Sequence, residues 1–296
     1  MASALESQLQ SIAVAAGLRK PSQPSDPSKR EFDPVAKQKG KASLLYSYKE
    51  AADIGVEDLY EGGLKGFDQL VRLDPRFQSC RKLLFSSSSL TYNRNDATQE
   101  FNKVIDDEID RFCKLVGPYF LLPAAMHGLE YLVRKFKIHE NNVSSLMKAS
   151  LPYHATPEFV RCVKIARLHG TCFEFLSPIK QISDSKEGLS RSSLVQRCIT
   201  DRALLRFVCD MAQELSDTKT GVRSCMGWYA VLLCEYIAAN NARIDEDFVA
   251  FILPYIVHGT KGTVFTEYRD ATFMILGQLA SRVSFSESVL QGALMS

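Results

Sequence analysis

Five histidines, eight cysteines and four carboxylates packed into residues 106–110 are the side chains in this 296-residue sequence best suited to chemistry. Their spacing argues against it. His127, His139, His154, His169 and His258 form no HxxxH or HExxH pair, the arrangement that would put two imidazoles on one helix face for zinc. His139 precedes Glu140-Asn141-Asn142 and His154 follows Pro152-Tyr153, contexts that suit hydrogen bonding at a cap or turn. Cys80, Cys113, Cys162, Cys172, Cys198, Cys209, Cys225 and Cys234 stand singly, mostly in apolar periodic runs and with no CxxC pair, which reads as reduced core thiols in a cytosolic or nuclear setting. Asp106, Asp107, Glu108 and Asp110 in "FNKVIDDEIDRFCKLV" read as the solvated face of a helix rather than a metal or acid–base site. The sequence has no GxSxG nucleophile turn, no GxxxxGK[ST] phosphate loop and no GxGxxG after a strand; EGGLKG at 61–66 falls in a helical pattern where glycines serve close packing. The chain therefore reads as a non-enzyme with no cofactor, no metal and no small-molecule substrate.

Phosphate binding is the one remaining chemistry with candidate residues. The chain carries 36 basic and 34 acidic side chains, too even a balance for a protein whose main task is holding a duplex. The excess is local: residues 19–49 hold four prolines and eight basic against three acidic side chains. Within them Arg19, Lys20, Lys29, Arg30, Lys37, Lys39 and Lys41 suit RNA phosphates, an import receptor or a plain solvated linker. Arg134, Lys135 and Lys137 cluster at a predicted helix C-terminus, where they offset the helix dipole or meet a phosphate. "LFSSSSL" at 84–90 reads as a polar loop, and Trp228, in the run WYAVLL, reads as core.

The elements that must position these residues are helices. In 101–116, Phe101, Val104, Ile105, Ile109, Phe112, Leu115 and Val116 recur at steps of three and four, predicting one buried face. The same pattern predicts helices at about 119–136, 141–150, 156–168, 189–215, 223–239, 245–257 and 266–282, joined by short connections. No apolar run reaches the ~18–20 residues a membrane helix needs. Phe112, Leu146 and Phe248 each stand six positions before a Pro-Tyr pair: Pro118-Tyr119, Pro152-Tyr153 and Pro254-Tyr255. Proline lacks an N–H and clashes with the preceding turn, so each pair predicts a helix end over which the tyrosine folds, with His154 extending the second. The prolines are 34 and 102 residues apart, and 102 is three times 34, which is compatible with an array of helix pairs. The expected fold is all-α, a HEAT-like α-solenoid of antiparallel helix pairs over 50–296 that continues in a longer protein. Before it stand an amphipathic helix at 1–18, with Leu5, Leu9, Ile12, Ala13 and Ala16 on one face, and the basic Pro-containing linker at 19–49.

Several blocks carry a resemblance. "YKEAADIGVEDLYEGGLKGFDQLVRLDPRF" (48–77), "LEYLVRKFKIHENNV" (129–143), "LPYHATPEFVRCV" (151–163) and "RSSLVQRCITDRALLRFVCD" (191–210) resemble, in order, the N-terminal region of a family of giant nucleolar HEAT-repeat proteins. Its members are called HEAT repeat-containing protein 1 in animals and U three small nucleolar RNA-associated protein ten elsewhere. The stretches 19–43 and 169–190 depart from the family pattern. The resemblance implies a non-enzymatic scaffold of the t-UTP (UtpA) subcomplex, which joins nascent pre-rRNA early in small-subunit processome assembly and is linked to RNA polymerase I transcription. It implies a nucleolar location, a pre-rRNA and snoRNP context with no membrane, and partners among other t-UTP subunits, chiefly WD-repeat proteins and their helical tails. It implies packing rather than catalytic roles for Ala51, Ala52 and Asp53 at a helix start, for Ile138, His139 and Asn142 at a helix close, and for Pro152, Tyr153 and His154 at an inter-helix turn. A direct pre-rRNA-binding module acting through the basic linker is the alternative.

Overall fold

The computed structural model describes residues 42–47, 49–181, 188–220, 223–239, 244–261 and 265–283, all within the compact unit Lys41–Ser296. These residues are helical with no strand among them. In chain order the helices are α1 (Glu50–Asp53), α2 (Val56–Leu73), α3 (Arg81–Leu84), α4 (Gln99–Val116), α5 (Pro123–Phe136), α6 (Ile138–Asn141) and α7 (Val143–Ser150). They continue as α8 (Pro157–Ile165), α9 (Ser177–Gln181), α10 (Arg191–Thr200), α11 (Arg202–Asp217), α12 (Arg223–Ala239), α13 (Glu246–Thr260) and α14 (Thr266–Ala280). Starts are set by side-chain caps: Thr98, Thr156, Ser190, Asp201 and Asp245 each accept a backbone N–H from the first turn of the next helix. Asp201 is one of these caps, so the single helix predicted over 189–215 is two, α10 and α11.

The helices stack with a regular offset. Asp106 in α4 accepts from Asn142 Nδ2 (2.9 Å), Asp110 accepts from Ser145 Oγ (2.7 Å), and the Tyr153 hydroxyl donates to the Gly117 carbonyl (2.7 Å), separations of 36, 35 and 36 residues. Partners that advance together along both segments make α4 and α7 parallel, one helical repeat apart. α2 and α5 run antiparallel: a Cβ on Gly63 would lie 2.5 Å from Tyr131 Cβ, and one on Gly66 would lie 2.6 Å from the Ala124 carbonyl oxygen. EGGLKG is thus the close helix contact that its pattern suggests. The same parallel stacking recurs further along, where Tyr229 of α12 lies 6.0 Å from Tyr268 of α14 and, later in both helices, Cys234 reaches the Met274 carbonyl. The described residues form an all-α, HEAT-like solenoid of helix pairs over one continuous apolar core.

Three expectations need correction. Phe101 and Val104, placed on the buried face of α4, are 45% and 47% exposed, because only the later turns of α4 lie against α7 and the segment Pro75–Cys80. Residues 42–47, the described end of the predicted linker, pack on the array: Leu44 is 3% exposed, and the buried Glu130 of α5 accepts hydrogen bonds from Ser43 Oγ, Leu44 N and Leu45 N. Pro254 does not end a helix, because α13 runs through it from Glu246 to Thr260. Its ring is exposed, while Phe248, Ile252, Ile256 and Gly259 form one buried face that continues on both sides. The carbonyl left without an N–H partner belongs to the exposed Ala250, where water can serve it. The predicted helix 1–18, the linker as far as residue 41 and the end of the array beyond 283 lie outside the described residues.

Candidate docking site at the stacked turns

The two Pro-Tyr pairs that do end helices lie together. Pro118 follows α4 and Pro152 follows α7, each in a short 3-10 turn. The Phe120 ring stacks on Tyr153 at 5.2 Å between centroids, and Tyr119 lies 5.9 Å from Phe77. Each turn closes on a second proline five residues later, Pro123 or Pro157, at the first position of the next helix, where no N–H is needed. Leu122 and Thr156, which precede these prolines, are extended, as the clash with a following proline ring demands. His154 is buried, and one ring nitrogen lies 2.6 Å from the Leu189 carbonyl, while Leu189 N donates back to the His154 carbonyl (2.7 Å). Gly188 comes so close that a Cβ there would lie 2.3 Å from the His154 carbonyl oxygen.

Beside the turns, four charges join three helices. Lys114 lies 2.6 Å from Asp110 and 2.5 Å from Glu214, and Lys148 lies 3.1 Å from Asp110 and 2.7 Å from Glu214. Burial opposes the ionised form of Asp110, but the bonds from Lys114 and Ser145 and the Lys148 charge outweigh it and hold its carboxyl below the usual range. Burial likewise works against the Lys114 ammonium, and the two carboxylates reverse this and raise it. Asp106 is also held low: the Arg94 fork and Asn142 overcome its burial. The carboxylate run is therefore a set of structural anchors and not a solvated face. Only Asp107 is exposed, and Glu108 is buried against Arg111 at 3.4 Å. A cleft of about 540 Å³ opens next to this network, lined by Arg76, Ser79, Asp107, Arg111, Thr218 and Thr220 among others. Arg76 crosses it to donate to the Lys219 carbonyl (2.6 Å). A cleft with interleaved charges of both signs suits a polar protein surface better than a polyanion.

The basic corner is not a free cationic patch. Arg134 Nη2 donates to the Ala51 carbonyl (2.7 Å) and Lys135 Nζ to the Leu90 carbonyl (2.6 Å), and burial lowers the Lys135 ammonium. Both cations are turned onto backbone of neighbouring segments, not onto the end of their own helix. Lys137 is exposed and adopts the left-handed conformation that closes α5. Lys29, Arg30, Lys37, Lys39 and Lys41 lie outside the described residues. Pro254 and Tyr255 are remote in role: the Tyr255 hydroxyl donates to Asp210 of α11 (2.5 Å). His139 is buried and held neutral, its pKa lowered by burial to about 4. Trp228 is half-buried, with its ring 6.5 Å from His154. Burial pushes the Cys162 and Cys225 thiols up to about 12 and raises Cys113 and Cys209 further, the opposite of an activated nucleophile. Among the described residues no cluster of three or more His, Cys, Asp or Glu could hold a metal, and no helix is long and apolar enough to cross a membrane. The sequence reading missed the four-charge joint and the Glu130 contact; the Lys114–Asp110 spacing of four was its one visible sign.

No protein-family model matches the chain. Curated proteins do. HEAT repeat-containing protein 1 of Homo sapiens is 31% identical over 257 residues, 83% of this chain and 12% of that protein. The chain is a relative of HEAT repeat-containing protein 1. The homolog of HEAT repeat-containing protein 1 in Drosophila melanogaster is 30% identical over 267 residues, covering 88% of this chain and 12% of its own length. U3 small nucleolar RNA-associated protein 10 of Aspergillus niger is 27% identical over 262 residues, covering 84% and 14%. The motif resemblance therefore extends over most of the chain, which spans only 12–14% of the length of these relatives.

Proposed function

We propose that this chain is a scaffold segment in ribosome biogenesis, acting without turnover in small-subunit rRNA maturation. The observation that carries this reading is the similarity, over most of the chain, to proteins named HEAT repeat-containing protein 1 and U3 small nucleolar RNA-associated protein 10. The finer reading is that the solenoid docks other t-UTP subunits, chiefly WD-repeat proteins and their helical tails, on nascent pre-rRNA in the nucleolus, with a link to RNA polymerase I transcription. The mixed-charge cleft beside the Pro-Tyr turns is the docking surface in this reading, since its open side chains are polar and of both signs. RNA contact falls to Lys29, Arg30, Lys37, Lys39, Lys41 and the exposed Lys137; Arg134 and Lys135 already serve backbone carbonyls.

A pull-down from nucleolar extract with this chain as bait, with and without RNase, tests the proposal by mass spectrometry. The expected result is capture of t-UTP subunits that survives RNase and is lost in an Arg76→Glu, Arg111→Glu variant. Capture that RNase abolishes, together with RNA affinity that falls steeply with salt and vanishes when 19–41 is deleted, would replace the scaffold with an RNA-binding module.

A further inference from the structure

Residues 42–47 form a strap that is held to α5 by one carboxylate. Glu130 is 2% exposed, and its donors are Ser43 Oγ at 2.8 Å, Leu44 N at 2.6 Å and Leu45 N at 3.3 Å. Among the described residues no cation lies within ion-pair distance of it, and all three of these hydrogen bonds come from the strap. Ser43 is the keystone, because its Oγ also accepts from Tyr46 N (3.0 Å) and so fixes the turn that brings both leucine amides to the carboxylate. Leu44 is buried beneath the strap at 3% exposure. The sequence before the serine is Lys37-Gln38-Lys39-Gly40-Lys41-Ala42, three lysines at alternate positions.

We propose that Ser43 is a phosphorylation site for a basic-directed serine kinase, and that phosphorylation releases the strap from α5. The kinase transfers the γ-phosphoryl group of ATP: a bond forms between Ser43 Oγ and the γ-phosphorus, the bond to the β–γ bridging oxygen breaks, ADP leaves, and the hydroxyl proton passes to the kinase's base. The product carries about −1.5 to −2 charges beside a buried carboxylate, and its Oγ no longer has a proton to donate. A like-charge pair out of water, with a donor lost, cannot keep the docked geometry. Release exposes Leu44 and its seat on α5, so the modification exchanges a covered helix face for a free one. Local opening of so short a segment gives the kinase access without unfolding the array.

The test uses the full chain, ATP and protein kinase C, with mass spectrometry to place the phosphate and hydrogen exchange to read the Leu44 and Leu45 amides. The expected result is phosphate on Ser43 and exchange at both amides faster by about tenfold or more. Protection returns in phosphorylated Glu130→Gln, whose amide removes the repulsion and still accepts a hydrogen bond. Absence of phosphate on Ser43 would overturn the proposal. So would a phosphorylated chain with unchanged or slower exchange, the outcome if Arg134, whose Nη1 is buried without a partner, took up the phosphate.

Discussion

The first half of the array, α2 to α8, and the second, α10 to α14, treat the same Pro-Tyr pair in opposite ways. At Pro118 and Pro152 the chain turns, whereas at Pro254 the helix continues. The pair itself does not decide the outcome. What differs is position 123, 157 or 259: a second proline in the first two cases and a glycine in the third. Pro123 and Pro157 force extended backbone at the residue before them and open a new helix, so the turn is closed from both ends. Around Pro254 the apolar spacing stays in helical phase, and burial of Phe248, Ile252 and Ile256 on one face outweighs a lost backbone bond. A proline stops a helix where the residues beyond it give the helix no further face to bury.

The contrast can be broken experimentally, and acid should break it most. His139, in the first half, is held neutral by burial with a pKa near 4, below its unfolded value. The unfolded chain takes up the proton first, so this contribution is complete above about pH 6.5 and is lost as pH falls toward 4, a change of roughly 3 kcal/mol. Urea midpoints measured from pH 7 to pH 4.5 should fall accordingly, and His139→Gln should flatten the profile over that window. Below pH 4 the depressed carboxyls of Asp106 and Asp110 add a second loss in the same direction.

Replacing Pro254 by Ala should stabilise the chain by about 2 kcal/mol, because it restores an N–H in an exposed helix interior. Pro152→Ala should gain nothing by the same urea titration; an equal gain at both prolines would erase the distinction between the halves. Glycines follow next. Gly66→Ala should cost about 1–2 kcal/mol, since its methyl meets the Ala124 carbonyl, whereas Gly277→Ala in α14, with open space around it, should gain about 0.5–1 kcal/mol. Tyr153→Phe is the mildest change: loss of the bond to the Gly117 carbonyl should cost about 1 kcal/mol in thermal or urea unfolding.

Much of this was legible in the residues. Helical period located α4, α5, α7 and α8 to within a few residues, because the apolar faces there are continuous. EGGLKG read as a helix contact for the reason that the structure shows, small residues where two backbones approach. Pro254 misled because a six-residue spacing to a preceding Phe carries no information on residues 256–260, which keep the helix in phase. The acidic run misled because its partners, Arg94, Asn142, Ser145 and Lys148, come from other elements, and local sequence cannot show which cations a fold brings to a carboxylate. The same limit hid Glu130, whose three donors lie more than 80 residues away. The α10–α11 break was visible in principle as Thr200-Asp201, but the apolar phase is nearly preserved across it.

The claim on which the rest depends is that both halves belong to one stacked array, joined at Asp110, Lys114, Lys148 and Glu214. Trp228, the single tryptophan, sits in α12 with its ring 6.5 Å from His154 and reports on the second half and its seam with the first, while far-UV circular dichroism reports on every helix. Equilibrium urea unfolding followed by both probes on one sample tests the claim directly. Coincident transitions are the predicted result. A Trp228 transition complete before most of the helical signal is lost would contradict it, because the second half would then unfold without the first.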